Sequence, residues 1–176
     1  MGKVVYKSPF GTLRIEEGYS NIRGKRLKNF RIQKNDAVVI LPFLDKDTII
    51  MEKQFRFAVN KKILELPAGS IDKGESRENA VKRELTEETG YYPQNVKFMF
   101  KTWNNPALMD YFEYYYIAYG LIKKEISLDD NEVIKVVKMK LNYAIKDLYK
   151  GKIKDTKTML ALLFYDHLSK INKKQA

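Results

Sequence analysis

The sequence predicts an α/β fold in which a mixed β-sheet lies between helices, an α/β/α sandwich preceded by a segment of antiparallel strands. Three observations support this prediction. Short runs rich in apolar and β-branched residues, typical of strands, recur from residue 4 to residue 139. Helical patterns are confined to residues 76–89 and 141–170. No linker rich in proline, glycine or serine divides the 176 residues, which are enough for one sizeable core.

The first predicted elements are three amphipathic strands, at Val4–Tyr6, Thr12–Glu16 and Arg26–Gln33. We expect turns between them at Pro9-Phe10-Gly11 and at Glu17-Gly18, because proline and glycine favour turn conformations. The chain therefore opens with an antiparallel, strand-rich segment.

Two apolar, β-branched runs, Ala37–Leu44 and Thr48–Phe55, predict central strands of the sheet. A further strand, Ile63–Leu66, is expected to turn sharply at Pro67-Ala68-Gly69. After the helix at residues 76–89, the remaining predicted elements are three strands and two helices: Val96–Trp103, Phe112–Tyr119, Val133–Met139, Leu141–Tyr149 and Thr156–Lys170, with Gly151 between the helices.

The helix at residues 76–89 has clear start and stop signals. Ser76 suits the N-cap, where its hydroxyl accepts a hydrogen bond from a first-turn amide. Gly90 suits the left-handed residue that ends a helix, and Pro93 prevents its continuation.

Three carboxylates share one face of this helix, because Glu84, Glu87 and Glu88 are spaced at i, i+3 and i+4. Crowded like charges are destabilising unless a cation lies among them, and hard oxygen ligands suit Mg²⁺ or Mn²⁺. A solvated acidic face balanced by Lys82 and Arg83 is the alternative, but it leaves the nearby glycines and Glu75 without a reason. We therefore predict a metal site.

Residues Gly69 to Tyr91 fit the pattern G-x5-E-x7-R-E-U-x-E-E-x-G-U, in which U is a bulky apolar residue. This run resembles the signature of the Nudix hydrolases, with Tyr91 in place of the usual aliphatic residue. The resemblance implies the Nudix fold and metal-dependent hydrolysis of a pyrophosphate.

Features outside the signature resemble one Nudix subfamily, the ADP-ribose pyrophosphatases. These are the lead-in Leu64-Glu65-Leu66-Pro67-Ala68-Gly69, the triplet Gln54-Phe55-Arg56, the proline at Pro106, the acidic loop 128–134 and the C-terminal segment Lys152–Thr158. The sequence departs from the subfamily at Ala107, where glycine is common, and at Asn105, where some members have Ser or Asp.

The resemblance implies a role for ten residues. The expected metal ligands are the carbonyl of Ala68 and the carboxylates of Glu84 and Glu88. The expected catalytic residues are Glu132, as the general base, with Glu87 and Arg83, the latter orienting Glu87. The expected substrate-binding residues are Arg56, which would pair with phosphate oxygens, Glu65, Asn105 and Leu108.

The expected substrate is a nucleoside diphosphate linked to another moiety, with ADP-ribose, cleaved to AMP and ribose 5-phosphate, as the leading candidate. Three alternatives stay open at this point. A different nucleotide sugar or a dinucleotide is compatible with the altered loop at Asn105 and Ala107. An RNA end-processing enzyme would suit the net charge of +11 and the basic run at residues 25–31. A non-catalytic ligand sensor is the third, although every acidic position of the signature is present.

Composition excludes several classes of function. The chain has no cysteine, so disulfides, thiolate zinc sites and cysteine nucleophiles are excluded. The net charge of +11 suits an anionic ligand, either a nucleotide or a nucleic acid. The lysines are spread along the chain, however, and with the absence of cysteine and the abundant glutamate this could equally be the composition of a thermophile protein. No secretory signal or membrane-length apolar run is evident, so we expect a cytoplasmic protein without a membrane partner.

We assign residues 1–35 to an N-terminal strand segment, 36–172 to the Nudix domain and 173–176 to a tail. Residues 1–35 have little apolar surface with which to fold alone, so they should dock on the core or on a second subunit. The resemblance implies a homodimer in which this segment completes the nucleotide site. The aromatic strand Phe112–Tyr119 is a candidate interface, and Tyr19, Phe30 and Phe57 are candidates for stacking on the base.

Overall fold

The computed structural model describes residues 3–8, 11–20, 25–124 and 134–175, with the backbone alone for 16–20, 25–30 and 172–175. The strands are β1 Lys3–Ser8, β2 Gly11–Ser20, β3 Lys25–Gln33, β4 Ala37–Pro42, β5 Thr48–Arg56, β6 Lys61–Glu65, β7 Ala68–Ser70, β8 Tyr91–Trp103, β9 Phe112–Lys123 and β10 Lys135–Lys140. The helices are α1 Arg77–Thr89, α2 Leu141–Tyr149 and α3 Thr156–Gln175.

The described strands form three sheets. The N-terminal sheet has the order β1-β2-β3 and is antiparallel throughout. The central sheet has the order β7-β4-β9-β8, and it is mixed because β4 pairs with β9 in parallel while its other pairs are antiparallel. The third sheet, β10-β5-β6, is antiparallel. The predicted fold class is confirmed.

Alternation along β4 explains why the central sheet is covered on both faces. Val38 and Ile40 pack in one cluster with residues of α1, whereas Val39 and Leu41 pack in another with residues of α3. All four are essentially inaccessible to solvent. Burying a side chain of this size stabilises a fold by about 1.5–3 kcal/mol, so β4 is a major source of stability.

The tyrosine run in β9 obeys the same alternation. Tyr114 and Tyr116 join the cluster beneath α1, and Tyr115 joins the cluster on the opposite face. Their exposed fractions are only 4%, 1% and 2% in chain order. The expectation that this strand offers an aromatic surface for a second subunit is therefore wrong for these three residues, because the core needs them.

Two boundaries differ most from prediction. Strand β8 begins at Tyr91 rather than at Val96, and it includes Pro93 opposite Leu121. It lies at the end of the sheet order, where a strand tolerates the missing proline N–H. Helix α3 continues to Gln175, beyond the predicted end and through most of the predicted tail.

The predicted turn at Glu17-Gly18 is wrong. Strand β2 runs through both residues, which pair with Lys28 and Leu27 of β3 in an uninterrupted register. Ladder hydrogen bonds to a neighbouring strand outweigh the weak turn preference of one glycine.

No helix in the described part of the chain is both long and apolar enough to cross a membrane.

Candidate active site

Helix α1 begins and ends as its sequence predicts. The Ser76 hydroxyl accepts a hydrogen bond from the Asn79 amide at 3.2 Å, which is the N-cap interaction. Gly90 ends the helix in the left-handed conformation, with φ of 76°. These two ends fix the length of the helix, and the burial of Ala80, Val81 and Leu85 against the central sheet fixes which way its acidic face points.

The acidic face of α1 lies directly against strand β7, which carries Ala68 and Gly69. A Cβ atom on Gly69 would lie 1.9 Å from the carboxyl carbon of Glu84, so no side chain fits there. The Ala68 amide donates to Glu88 Oε2 at 3.0 Å. Glu84 and Glu88 are therefore held close to one short piece of backbone, as the signature predicts.

Arg83 is the centre of an acidic cluster formed with Glu75, Glu84 and Glu87, which we call the Arg83 cluster. Its guanidinium donates to both oxygens of Glu75, at 3.0 and 2.9 Å, to Glu84 at 2.8 Å and to Glu87 at 3.2 Å. It also donates to the Ser70 carbonyl at 2.9 Å. Arg83 does contact Glu87, but its two-pronged bond to Glu75 is the stronger contact and gives that glutamate a structural role.

The pKa shifts in this cluster reflect these contacts. The hydrogen bond with Glu75 raises the pKa of Arg83, and the neighbouring Glu84 adds to the effect. The hydrogen bond from Arg83 lowers the pKa of Glu75. Burial raises the pKa of Glu84, and the opposing effect of Arg83 does not cancel it. Glu84 is thus a carboxylate whose charged form needs more positive charge than the protein supplies.

The donor set fits a divalent cation. Glu84, Glu88 and the Ala68 carbonyl are all oxygen ligands, the type that Mg²⁺ and Mn²⁺ prefer. Within the described residues, no three Asp, Glu or His side chains are arranged to hold a metal as they stand. Arg83 and the Ala68 amide hold Glu84 and Glu88 in their present places. A cation bound by these two glutamates could take the Ala68 carbonyl as its third protein ligand.

A second cluster of charges lies at the end of β6, and we call it the Glu65 cluster. Glu65 is fully buried, and Arg56 donates to its two oxygens at 2.8 and 2.9 Å. Lys157 donates to Glu65 at 3.2 Å and to Asp155 at 2.8 Å. The Leu66 amide donates to the Thr158 hydroxyl at 2.8 Å.

The loop between β8 and β9 is anchored by a buried carboxylate. Glu113 is 2% exposed and accepts hydrogen bonds from Asn104 at 2.7 Å and from the Tyr115 hydroxyl at 2.9 Å. Within the loop, the Leu108 amide donates to the Asn105 carbonyl at 2.9 Å. The two predicted substrate residues of this loop, Asn105 and Leu108, therefore belong to one turn.

The N-terminal sheet reaches this loop within the same chain. The Ile32 amide donates to the Leu108 carbonyl at 2.8 Å, and Ile32 forms a parallel bridge with Met109. Arg31 lies 3.4 Å from the Asp110 carboxylate. The end of β3 thus helps to shape the loop that carries Asn105.

Of the four remaining candidates, the structure describes the side chain of Phe57. Phe57 follows Arg56 directly and is 91% exposed, so its ring is accessible for stacking. The predicted base, Glu132, lies outside the described residues, as do the side chains of Tyr19 and Phe30.

Sequence reasoning did not identify Glu113, Asp155 or Lys157 as site residues. Glu113 lies on a strand among tyrosines, where alternation alone does not distinguish a buried acid from an exposed one. The segment Asp155-Thr156-Lys157-Thr158 carried a signal in its resemblance to a helix start, but its partner strand is far away in the sequence.

Comparisons with known proteins identify the family. Residues 33–162 match the family model described as the NUDIX domain. The chain is 32% identical over 143 residues to the ADP-ribose pyrophosphatase of Bacillus subtilis (strain 168), covering 80% of this chain and 77% of that protein. It is 31% identical to the methanol dehydrogenase activator of Bacillus methanolicus, with the same coverage. It is 30% identical to the GDP-mannose pyrophosphatase of Yersinia enterocolitica, covering 74% of this chain and 72% of that protein.

A solved structure supports the fold. The crystal structure of an ADP compounds hydrolase superposes with a TM-score of 0.84, covering 97% of this chain and 92% of that one at 24% identity. The chain belongs to the Nudix family, because the family model matches most of its length. The predicted enzyme class, a Nudix pyrophosphohydrolase similar to the ADP-ribose pyrophosphatases, is confirmed by this match and by the Bacillus subtilis relative.

Proposed function

We propose that this protein hydrolyses the pyrophosphate of a nucleoside diphosphate linked to a sugar, with Mg²⁺ or Mn²⁺ as cofactor and ADP-ribose as substrate. The observation that carries the proposal is the placement of Glu84 and Glu88 against Ala68 and Gly69 of β7. This arrangement offers oxygen ligands beside an accessible surface, where a charged diphosphate can approach.

Glu84, Glu88 and the Ala68 carbonyl would hold the cation. When bound, it would neutralise charge on the pyrophosphate and make a water molecule more acidic. Arg83 keeps Glu84 in place and holds Glu75 and Glu87 around it. Glu87 is more exposed than Glu84, with 58% of its side chain accessible against 12%, so it faces the side from which substrate and solvent arrive.

Arg56 is the proposed phosphate ligand. Its Nε and Nη2 donate to Glu65, and its side chain is 40% exposed. An arginine has five N–H donors, so a guanidinium anchored through two of them can still present others to a phosphate oxygen. Burial acts to lower the pKa of Arg56, but the hydrogen bond and charge of Glu65 outweigh it, so the pKa is raised and the cation is secure.

Glu65 is better suited to hold Arg56 than to bind substrate itself, since it is fully buried and both of its oxygens already accept hydrogen bonds from protein groups. We assign Asn105 and Leu108 to the substrate loop, which Glu113 and Ile32 hold in place. Glu132 is the proposed general base for the attacking water, on the strength of its place in the acidic loop.

A homodimer in the cytoplasm completes the proposal. Three apolar residues of β1 are exposed: Val4, Val5 and Tyr6, with exposed fractions of 45%, 50% and 65%. They leave apolar surface on an edge strand of the N-terminal sheet. A second copy of the same sheet is the partner that would cover it symmetrically. Light scattering should give twice the chain mass of 20.7 kDa. A fully active species with the mass of one chain would exclude the dimer.

The alternative that a specific observation favours is GDP-mannose, because the Yersinia enterocolitica relative carries that name. A substrate panel separates the two. Purified protein with Mg²⁺ would be assayed on ADP-ribose, GDP-mannose, diadenosine polyphosphates, NADH, dNTPs and RNA with a 5′-triphosphate. We expect the highest kcat/KM on ADP-ribose, with AMP and ribose 5-phosphate as products. A preference for GDP-mannose would change the substrate, and cleavage of RNA or dNTPs alone would refute the proposal.

A further inference from the structure

We propose that Lys157, in the first turn of α3, is a positioning residue that orients Arg56 for the substrate phosphate through the shared carboxylate of Glu65. This inference rests on the proposed function, since it concerns how the phosphate ligand is held. It adds a role for a residue that lies in a different element from the signature helix and from the strand that carries Arg56.

The geometry of Glu65 carries the inference. Its Oε2 atom accepts hydrogen bonds from two cations at once, Arg56 Nη2 at 2.9 Å and Lys157 Nζ at 3.2 Å. Its Oε1 atom accepts from Arg56 Nε at 2.8 Å. Glu65 has no solvent exposure, so water does not weaken these contacts. The place of the Glu65 carboxylate therefore depends on both cations, and the plane of the Arg56 guanidinium depends on Glu65.

Lys157 is itself held from its other side. Asp155 accepts from Lys157 Nζ at 2.8 Å, and it also caps α3 by accepting from the Thr158 amide at 3.0 Å. Burial acts to lower the pKa of Lys157, but the charge of Asp155 outweighs it and the pKa is raised, so the ammonium stays charged. The Thr158 hydroxyl, which donates to Asp155 at 2.7 Å, also accepts from the Leu66 amide. The first turn of α3 thus holds Glu65 through Lys157, and it holds the next residue, Leu66, through Thr158.

Removing the Lys157 ammonium should move Arg56, although the negative charges around the Arg56 side chain stay in place. The negative charges of Glu65, Glu52 and Glu88 all act on Arg56. With Lys157 gone, Arg56 would be the remaining cation bonded to Glu65 within the described part of the chain. We expect the guanidinium to be drawn more tightly toward Glu65 and away from the substrate side. The cost should therefore fall on substrate binding, while Glu84 and Glu88 on α1 keep their places.

The test is a double-variant cycle on binding, which needs no turnover. The probe is α,β-methylene ADP-ribose, whose bridging carbon resists hydrolysis, and Kd is measured by titration calorimetry. We expect Lys157→Met and Glu65→Gln each to weaken binding about tenfold, and the double variant to be no weaker than the worse single variant, since residues acting as one unit are not additive. Lys154→Met is the matched control, because Lys154 is exposed on the same segment, and its Kd should stay unchanged.

Additive losses in the double variant would overturn the proposal, because they would mean that Lys157 acts on the substrate independently of Glu65. An unchanged Kd in Lys157→Met would overturn it as well. If Lys157→Met does not fold, Lys157→Gln completes the same cycle with a polar side chain of similar length. In the assay of turnover, KM should rise with kcat little changed. Failure of the wild-type protein to bind the probe would instead refute ADP-ribose as the substrate. That outcome is distinct from a failure of the Lys157 proposal, which shows only in the variants.

Discussion

The Arg83 cluster and the Glu65 cluster both join cations to carboxylates, but they differ in charge balance. Among the described residues, one cation, Arg83, pairs with the carboxylates of Glu75, Glu84 and Glu87. In the Glu65 cluster, two cations, Arg56 and Lys157, bind two carboxylates, Glu65 and Asp155. The first cluster has an excess of negative charge beside an open surface, whereas the second is neutral and largely covered.

This difference indicates what each cluster can do. Burial raises the pKa of Glu84, which means that its charged form is disfavoured where it stands. An added cation beside a surplus of partly buried carboxylates would favour that charged form. A balanced set of charges has no need of a further cation, and its hydrogen bonds fix geometry instead. We therefore propose that the acidic face of α1 binds the metal and that the start of α3 positions Arg56.

The largest effect is expected from removing the surplus charge. Glu88→Gln keeps the shape of the side chain, and its amide can still accept from the Ala68 amide, but the charge for the cation is lost. We expect turnover to fall by about two to four orders of magnitude with the fold intact. Glu78→Gln is the matched control, because Glu78 lies on the same helix but is not a proposed metal ligand, and a glutamine there can still accept from the Tyr116 hydroxyl. A Glu88→Gln protein with more than half of the wild-type kcat would contradict the assignment.

Next in size is the effect of crowding the same site without changing any charge. Gly69→Ala would place a methyl group 1.9 Å from the Glu84 carboxyl carbon, so Glu84 or strand β7 must move. We expect kcat/KM to fall about a hundredfold, the scale of misplacing a reacting group by about 1 Å. Gly151→Ala is the control for a glycine-to-alanine change away from the site: nothing lies within 4 Å of its Cβ position, and the strain of its φ of 67° should lower stability rather than kcat/KM. Equal activities of the two variants would show that Glu84 does not need its present position.

The sequence predicts a cluster only as far as its bonded residues lie close together along the chain. The cap at Ser76, the end at Gly90 and the shared face of Glu84 and Glu88 follow from local spacing, because one helix relates all four residues. The contact between Glu65 and Lys157 joins residues 92 positions apart, and no periodicity encodes such a pair. Only the folded arrangement of β6 and α3 reveals it.

The same limit applies to the fold. The apolar run of β4 predicts a central strand correctly, since every side chain there must be buried. The turn predicted at Glu17-Gly18 fails because pairing between β2 and β3 decides the local structure. Buried acids such as Glu113 are also missed, because a strand sequence does not say which polar residue has a partner inside.

A smaller effect, on stability rather than activity, is expected in the Glu65 cluster. Burial acts to raise the pKa of Asp155, but Lys157 and the Thr158 hydrogen bonds outweigh it and hold the pKa below its ordinary value of 3.8. The ionised form therefore stabilises the fold above that value, and this contribution is lost as pH falls through the lowered pKa. Asp155→Asn keeps an N-cap but removes the charge.

Urea denaturation at pH 7 should show Asp155→Asn to be less stable by about 1–3 kcal/mol, the scale of a hydrogen bond to a charged group. The difference from wild type should shrink below about pH 4, near the unfolded pKa of aspartate. Asp47→Asn, in the exposed pair with Lys140, is the control and should change stability little at either pH. A deficit for Asp155→Asn that grows on acidification would contradict the lowered pKa of this carboxyl.

Cation binding measured in the two clusters tests the central claim most directly. Free Mn²⁺ would be followed by electron paramagnetic resonance during titration of wild type, the Glu84→Gln/Glu88→Gln double variant and Asp155→Asn. We predict that wild type and Asp155→Asn bind Mn²⁺ with the same affinity and that the double variant loses that binding. Binding that survives in the double variant, or that disappears in Asp155→Asn, would contradict the assignment of the metal to the acidic face of α1.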